Sequence, residues 1–233
     1  MKLMDITNVM FLAKLLLLLS VSMLIGIRVG SWAESVVPKV KQVLFASSEV
    51  YVTPDNELKQ KFINEEGKPL NWQALLPEQE RLVLEKYQKI NPEIPETLGG
   101  MTAQILLSIE ASADEAYHSA MYSMNTVGDF EASLVNISGF VVPIEFHADK
   151  TPSLIFIVPY YGACVHFPPP PPNQIVFARL SPGFQQQDLK QAYNFKGVLW
   201  LGLFEDPMGT SAYEMEVLSI SPFSGEPDDF RSH

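Results

Sequence analysis

Val135-Asn-Ile-Ser-Gly-Phe-Val141 decides the fold: Val135, Ile137, Gly139 and Val141 alternate with Asn136, Ser138 and Phe140. A period of two sends successive side chains to opposite faces, which marks a strand rather than a helix. Four later segments read the same way. They are Ser153-Leu-Ile-Phe-Ile-Val158, Gln174-Ile-Val-Phe-Ala-Arg-Leu180, Phe195 to Phe204, and Tyr213, Met215 and Val217 set against Glu214 and Glu216. Five short strands separated by turn residues predict an α+β protein built on a small five-stranded antiparallel β-barrel of the oligonucleotide/oligosaccharide-binding (OB-like) plan. Glycines inside the first and fourth strands suit barrel corners. Pro143 is expected to interrupt the first strand, and Gln185 to Tyr193 to hold a short helix.

Upstream of the strands the period becomes helical. Val83, Leu84, Tyr87 and Ile90 fall at helical spacing after Pro77, with Glu78 and Glu80 in the first turn and Lys86 and Lys89 near the end. Proline and acids at the start, bases at the end, and Asn91-Pro92 as a stop define one helix. A second is predicted over Thr102 to Met121, with Ile105, Ile109, Ala113, Ala116, Tyr117 and Ala120 on one packing face. The organisation read from this is 1–33 signal peptide or membrane anchor, 34–70 extended lead-in, 71–130 helical segment, 131–222 barrel and 223–233 loose tail.

The first 33 residues read as an export signal. Lys2 and Lys14 supply positive charge, Leu15 to Ile27 is apolar, and Ser31-Trp32-Ala33 places small residues where a signal peptidase reads. The alternative is an uncleaved anchor helix, because Val9 to Ile27 is long enough to span a bilayer with Lys14 near the interface. Both readings carry the remaining chain across the membrane to a periplasmic location, soluble after cleavage or held at the inner membrane. Membrane contact is expected only through residues 1–33, if they stay attached.

The 233 residues carry a formal net charge of −11 and are 47% hydrophobic. Removing residues 1–33 leaves 13 basic and 26 acidic residues, a net charge of −13. That balance repels nucleic acid, whose binding rests on phosphate neutralisation, and no nucleic-acid partner is expected. The chain lacks His-Glu-x-x-His, Gly-x-Ser-x-Gly, a phosphate-binding Gly-x-x-x-x-Gly-Lys and Cys-x-x-Cys. No enzyme activity is expected.

One segment differs in kind: Val158-Pro-Tyr-Tyr-Gly-Ala-Cys-Val-His-Phe-Pro-Pro-Pro-Pro-Pro-Asn-Gln174. Pro168, Pro169, Pro170, Pro171 and Pro172 should form a stiff polyproline arm, spanning roughly 15 Å at about 3.1 Å per residue. The single cysteine, Cys164, lies just before it, and His166 follows at i+2, on the same side of an extended chain. Thiolate and imidazole together are ligands for zinc or copper. A neighbouring imidazolium would alternatively make the thiol reactive for redox chemistry. A third reading is simple burial, common for a free cysteine. His147, with Glu145 and Asp149 nearby, is a candidate third ligand. Pro168 to Pro172, Asn173, Tyr160 and Tyr161 are candidate partner-binding residues, since exposed polyproline is docked by aromatic grooves.

Three stretches carry a resemblance: Trp72-Gln-Ala-Leu-Leu-Pro77, Ile137-Ser-Gly-Phe-Val-Val-Pro-Ile-Glu145, and Val158 to Gln174 with its Gly-Ala-Cys-Val-His-Phe and five prolines. Together they resemble a bacterial exported family known as domain-of-unknown-function family 3299. The resemblance implies a periplasmic, non-catalytic protein associated with transporter systems, including ABC-type exporters or metal-uptake operons. It makes a transporter subunit or other envelope protein the expected partner. Cys164 and His166 are the site residues that match its motif. No cofactor follows with certainty, and zinc or copper remain the candidates.

Overall fold

The computed structural model describes residues 49–62, 64–87, 97–163, 170–186, 188–225 and 227. The signal or anchor reading of residues 1–33 lies outside the described residues.

The barrel is present and closed. Its strands are β3 (Ser133–Phe146), β4 (Pro152–Val158), β5 (Val176–Arg179), β6 (Tyr193–Asp206) and β7 (Gly209–Pro222). Neighbours around the ring are β3, β4, β5, β7 and β6, with β6 returning to β3. All pairings are antiparallel except β5 with β7, which run parallel from Val176↔Tyr213 to Ala178↔Met215. This is the five-stranded Greek-key ring of an OB-type barrel.

Alternation along the strands builds two apolar layers. Ile155, Ile157, Val176 and Ala178 point into the barrel with Val135, Ile137, Phe195, Leu199 and Tyr213. Phe156, Val158 and Phe177 point outward into a second cluster with Ile175 and Ala163. Burial on both faces explains why 154–158 reads as an unbroken apolar run. Gly139 sits where β3 exchanges β6 for β4 as its neighbour; a Cβ there would lie 2.8 Å from the Val158 carbonyl oxygen. Pro143 does not end the strand as expected. β3 continues to Phe146, and the proline falls at a register shift, where a missing backbone donor is tolerated. The expected helix within 185–193 is absent among the described residues, where Leu189 and Lys190 lie in a turn and Tyr193 begins β6.

The lead-in is more structured than expected. It contributes β1 (Tyr51–Val52) against β7, α1 (Asn56–Lys61), and β2 (Lys68–Leu70), which is parallel to β3. A 3₁₀ turn at Trp72–Leu75 then leads into α2 (Glu78–Tyr87). Trp72 and Leu75 are buried with the barrel core, and the Trp72 indole N–H donates to the Ser138 carbonyl at 2.7 Å.

The single helix predicted over 102–121 is two: α3 (Leu98–Ala113) and α4 (Glu115–Met121). Asp114 divides them. Its backbone is extended, and its Oδ1 accepts from the N–H groups of Ala116 and Tyr117, capping α4. The Tyr87 hydroxyl donates to Asp114 Oδ2 at 2.8 Å and holds the carboxyl below its usual range, with the capping N–H groups adding to the effect. α4 packs on α2 through Ala120 and Leu84. The expected packing face of the second helix is not assembled as read, because Ile105 and Ile109 are exposed.

Candidate functional site

The segment between β4 and β5 is anchored at both ends. After Val158 the chain turns through Tyr160 to Ala163, where the Ala163 N–H reaches the Tyr160 carbonyl. Gly162 takes φ +77°, a left-handed conformation that glycine adopts without a Cβ penalty. Ala163 is fully buried in the outer cluster. Tyr161 remains exposed, edge-on to Phe140 at 6.2 Å, with the Lys190 ammonium 5.9 Å from its ring. Cys164, His166, Pro168 and Pro169 lie outside the described residues.

The second anchor is polar. Pro172–Gln174 form a 3₁₀ turn, and both Asn173 and Gln174 are fully buried. Asn173 Nδ2 donates to Glu80 Oε2 at 2.8 Å and to the Asn125 carbonyl at 3.0 Å. The other Glu80 oxygen accepts from Ser123 Oγ at 2.7 Å and Asn125 Nδ2 at 2.6 Å. Gln174 Nε2 donates to the Trp72 carbonyl at 2.8 Å. Tyr213 extends this region: its hydroxyl donates to the Leu75 carbonyl and accepts from the Val127 N–H. Burial pushes the Tyr213 hydroxyl up to about 12, with the Glu80 charge adding to the rise and the Val127 N–H opposing it.

Pro170 and Pro171 are buried as well. The described part of the proline run is therefore packed inward and is not an exposed arm. Pro170, Pro171 and Asn173 are withdrawn from the partner-facing set for that reason. Pro172 is half-buried, as is Tyr160, while Tyr161 faces solvent.

Among the described residues, His147 is engaged by the backbone rather than by other metal-ligating side chains. Its ring Nε2 lies 2.8 Å from the Leu180 carbonyl, an acceptor, so that nitrogen carries the hydrogen. Asp149, beside it, closes the turn: its Oδ1 accepts from the Thr151 hydroxyl at 2.7 Å and the Thr151 N–H at 3.0 Å. Those bonds, the hydroxyl first, hold the Asp149 carboxyl below its usual range. Among the described residues no three His, Cys, Asp or Glu side chains gather closely enough to hold a metal ion.

The outer face of β4 and β5, which OB-type barrels use for ligands, is covered by the chain itself. Phe204, near the tip of the β6–β7 hairpin, stacks on Phe177 with ring centroids 3.7 Å apart. The Arg179 guanidinium lies 4.8 Å from the Phe177 ring.

Sequence reading missed Glu80, Asn125, Ser123 and Tyr213. Asn173 meets Glu80 across 93 positions and Asn125 across 48, and no local period marks such a meeting.

These features define an OB-type barrel with a helical preface and a doubly anchored loop between its second and third strands. The chain belongs to DUF3299, described as a protein family of unknown function, whose model matches residues 72–222. A crystal structure of a DUF3299 family protein from Pseudomonas aeruginosa PAO1 is similar at 25% sequence identity and a TM-score of 0.48. The match covers 69% of this chain and 99% of that one. A comparison with curated proteins finds no match.

Proposed function

We propose that this chain is an exported, non-catalytic accessory protein of the bacterial envelope. In this reading the barrel presents Cys164 and His166 for binding a soft metal ion, copper or zinc, in association with a transporter system. The observation that supports it is the double anchoring. Ala163 is fully buried on one side, and Asn173 is buried and bonded to Glu80 on the other. Fixing both ends of a short segment lowers the ordering cost of binding through it. Thiolate favours soft metals, and imidazole suits both copper and zinc. His147 bonds the Leu180 carbonyl through Nε2 only, and the proposal is carried by Cys164 and His166, with His147 as the candidate third ligand.

The test is metal stoichiometry and affinity of the purified chain, with Cys164→Ala and His166→Ala alongside. Both variants are expected to lose binding at neutral pH. A wild-type chain with no affinity for copper(I) or zinc overturns the reading.

A second reading is favoured by the exposure of Tyr161 beside the anchored segment. Here the same loop contacts an envelope protein directly, without metal. It predicts that Tyr161→Ala weakens the association while Cys164→Ala leaves it intact. A thiol-dependent redox role would instead show Cys164 labelling faster than a free model thiol.

A further inference from the structure

Helix α3 is amphipathic in the wrong direction for a water-facing helix. Leu98, Ile105 and Ile109 share one face with Thr102, and Leu106 lies beside them. Their relative exposures are 83%, 60% and 60%, with 62% for Leu106. The opposite face, turned toward the protein, carries Gly100, Gln104, Leu107, Ser108 and Ala111, of which only Ala111 is fully buried. A surface helix normally turns its bulky aliphatic stripe to the core. No charged side chain occurs from Leu98 to Ile109, in a chain of net charge −11. An uncharged, contiguous apolar stripe of this kind marks a contact surface.

We infer that the outward face of α3 lies in the interface of an uncharged, zwitterionic lipid bilayer. This rests on the export reading above, in which residues 1–33 deliver the chain to a membrane. Val9 to Ile27 is apolar apart from Lys14, Ser20 and Ser22, and 21 residues separate it from the first described residue. Extended, such a tether reaches at most about 70 Å, enough to bring any face of a domain this size to the bilayer. Tethering makes a weak second contact effective, because it becomes intramolecular.

Size argues against a second copy of the chain as occupant. A stable dimer uses roughly 20–30 residues a side, and this stripe offers four aliphatic side chains. Insertion into an interface needs only one helix. The 16 residues of α3 span about 24 Å, short of a hydrocarbon core of about 30 Å, so the helix lies on the bilayer and does not cross it. The absence of lysine and arginine on this stripe, with the acidic balance of the chain, selects neutral over anionic lipid.

The test reconstitutes the full chain carrying Leu106→Trp into phosphatidylcholine vesicles, some with brominated acyl chains. Wild type supplies the background of Trp32, Trp72 and Trp200. The added tryptophan is expected to shift to the blue and lose about half its intensity to brominated lipid, as burial of an interfacial face implies. Replacing phosphatidylcholine by phosphatidylserine should weaken both effects. Emission that stays water-like while the chain co-floats with vesicles overturns the inference and leaves the anchor standing. A chain that fails to float overturns the anchor, and α3 contact is then read from the Leu106→Trp signal alone. A blue shift that grows with protein concentration without lipid assigns the face to a second copy and overturns the inference.

Discussion

Asn173 and Glu80 are joined by a 2.8 Å hydrogen bond that ties the start of β5 to helix α2. Glu80 also receives Ser123 and Asn125, so one carboxylate gathers three donors from two distant parts of the chain. Glu80→Ala strands those donors. It is expected to cost about 1.5–3 kcal/mol, the range for hydrogen bonds to a charged group. Asn173→Asp should cost more than Asn173→Ala, because it sets an acceptor against an acceptor at a buried position. Urea unfolding of the three variants measures this, and equal stability of wild type and Glu80→Ala would contradict it.

Gly197 and Gly99 make opposite predictions for the same substitution. A Cβ on Gly197 would lie 2.6 Å from the Glu216 carbonyl oxygen and 2.7 Å from Met215 Cγ. Backbone cannot yield there cheaply, so Gly197→Ala should destabilise by about 1–3 kcal/mol. A Cβ on Gly99 meets nothing within 4 Å. Gly99→Ala should be neutral or stabilising by up to about 1 kcal/mol, since alanine favours the helix. Thermal melts of both variants decide the contrast.

Tyr213 makes stability fall in alkali. Its folded value of about 12 lies above the ordinary 10.0, so the folded state holds its proton where the unfolded state has released it. The contribution is complete below pH 10 and is lost as pH rises toward 12. Tyr213→Phe removes that part of the alkaline slope. At neutral pH it should cost about 1–2 kcal/mol by leaving the Val127 N–H and Leu75 carbonyl without their partner. Unfolding free energies at neutral and alkaline pH, for wild type and variant, test both halves.

His147→Ala should lower stability by about 1 kcal/mol, the usual worth of one hydrogen bond, and, if His147 is the third ligand, weaken copper or zinc affinity less than Cys164→Ala does. Its ring is held by the Leu180 carbonyl, across the turn that Asp149 closes. Unchanged metal affinity in this variant would remove His147 from the candidate ligands.

The barrel was legible because its strands alternate and its glycines sit at corners, both local properties of the chain. Gly139 was readable as a bend from its place inside an apolar strand, and the close approach of the Val158 carbonyl gives the reason. The division of α3 from α4 was less legible. A hydrophobic period runs through Asp114, and only its capping geometry reveals the break. Ile105 and Ile109 show the limit of periodicity. It identifies an apolar stripe but not the medium that the stripe meets. The proline run misled differently, since proline stiffness says nothing about burial, and Pro170 and Pro171 proved to be inside. Glu80 was invisible as a hub because its partners come from the far ends of two loops.

The parallel seam between β5 and β7 joins only Val176–Ala178 to Tyr213–Met215. By contrast, β6 and β7 pair along most of their length across the two-residue turn Pro207-Met208. The hairpin closes almost no loop when it forms, whereas the seam must bring together segments more than thirty positions apart. Formation of this seam, like the β3–β6 pairing of Ser133 with Leu199, is therefore expected to follow assembly of the hairpin. Because Asn173 and Gln174 lie just before β5, the contact with Glu80 and the β5–β7 seam should mature together, as one kinetic step.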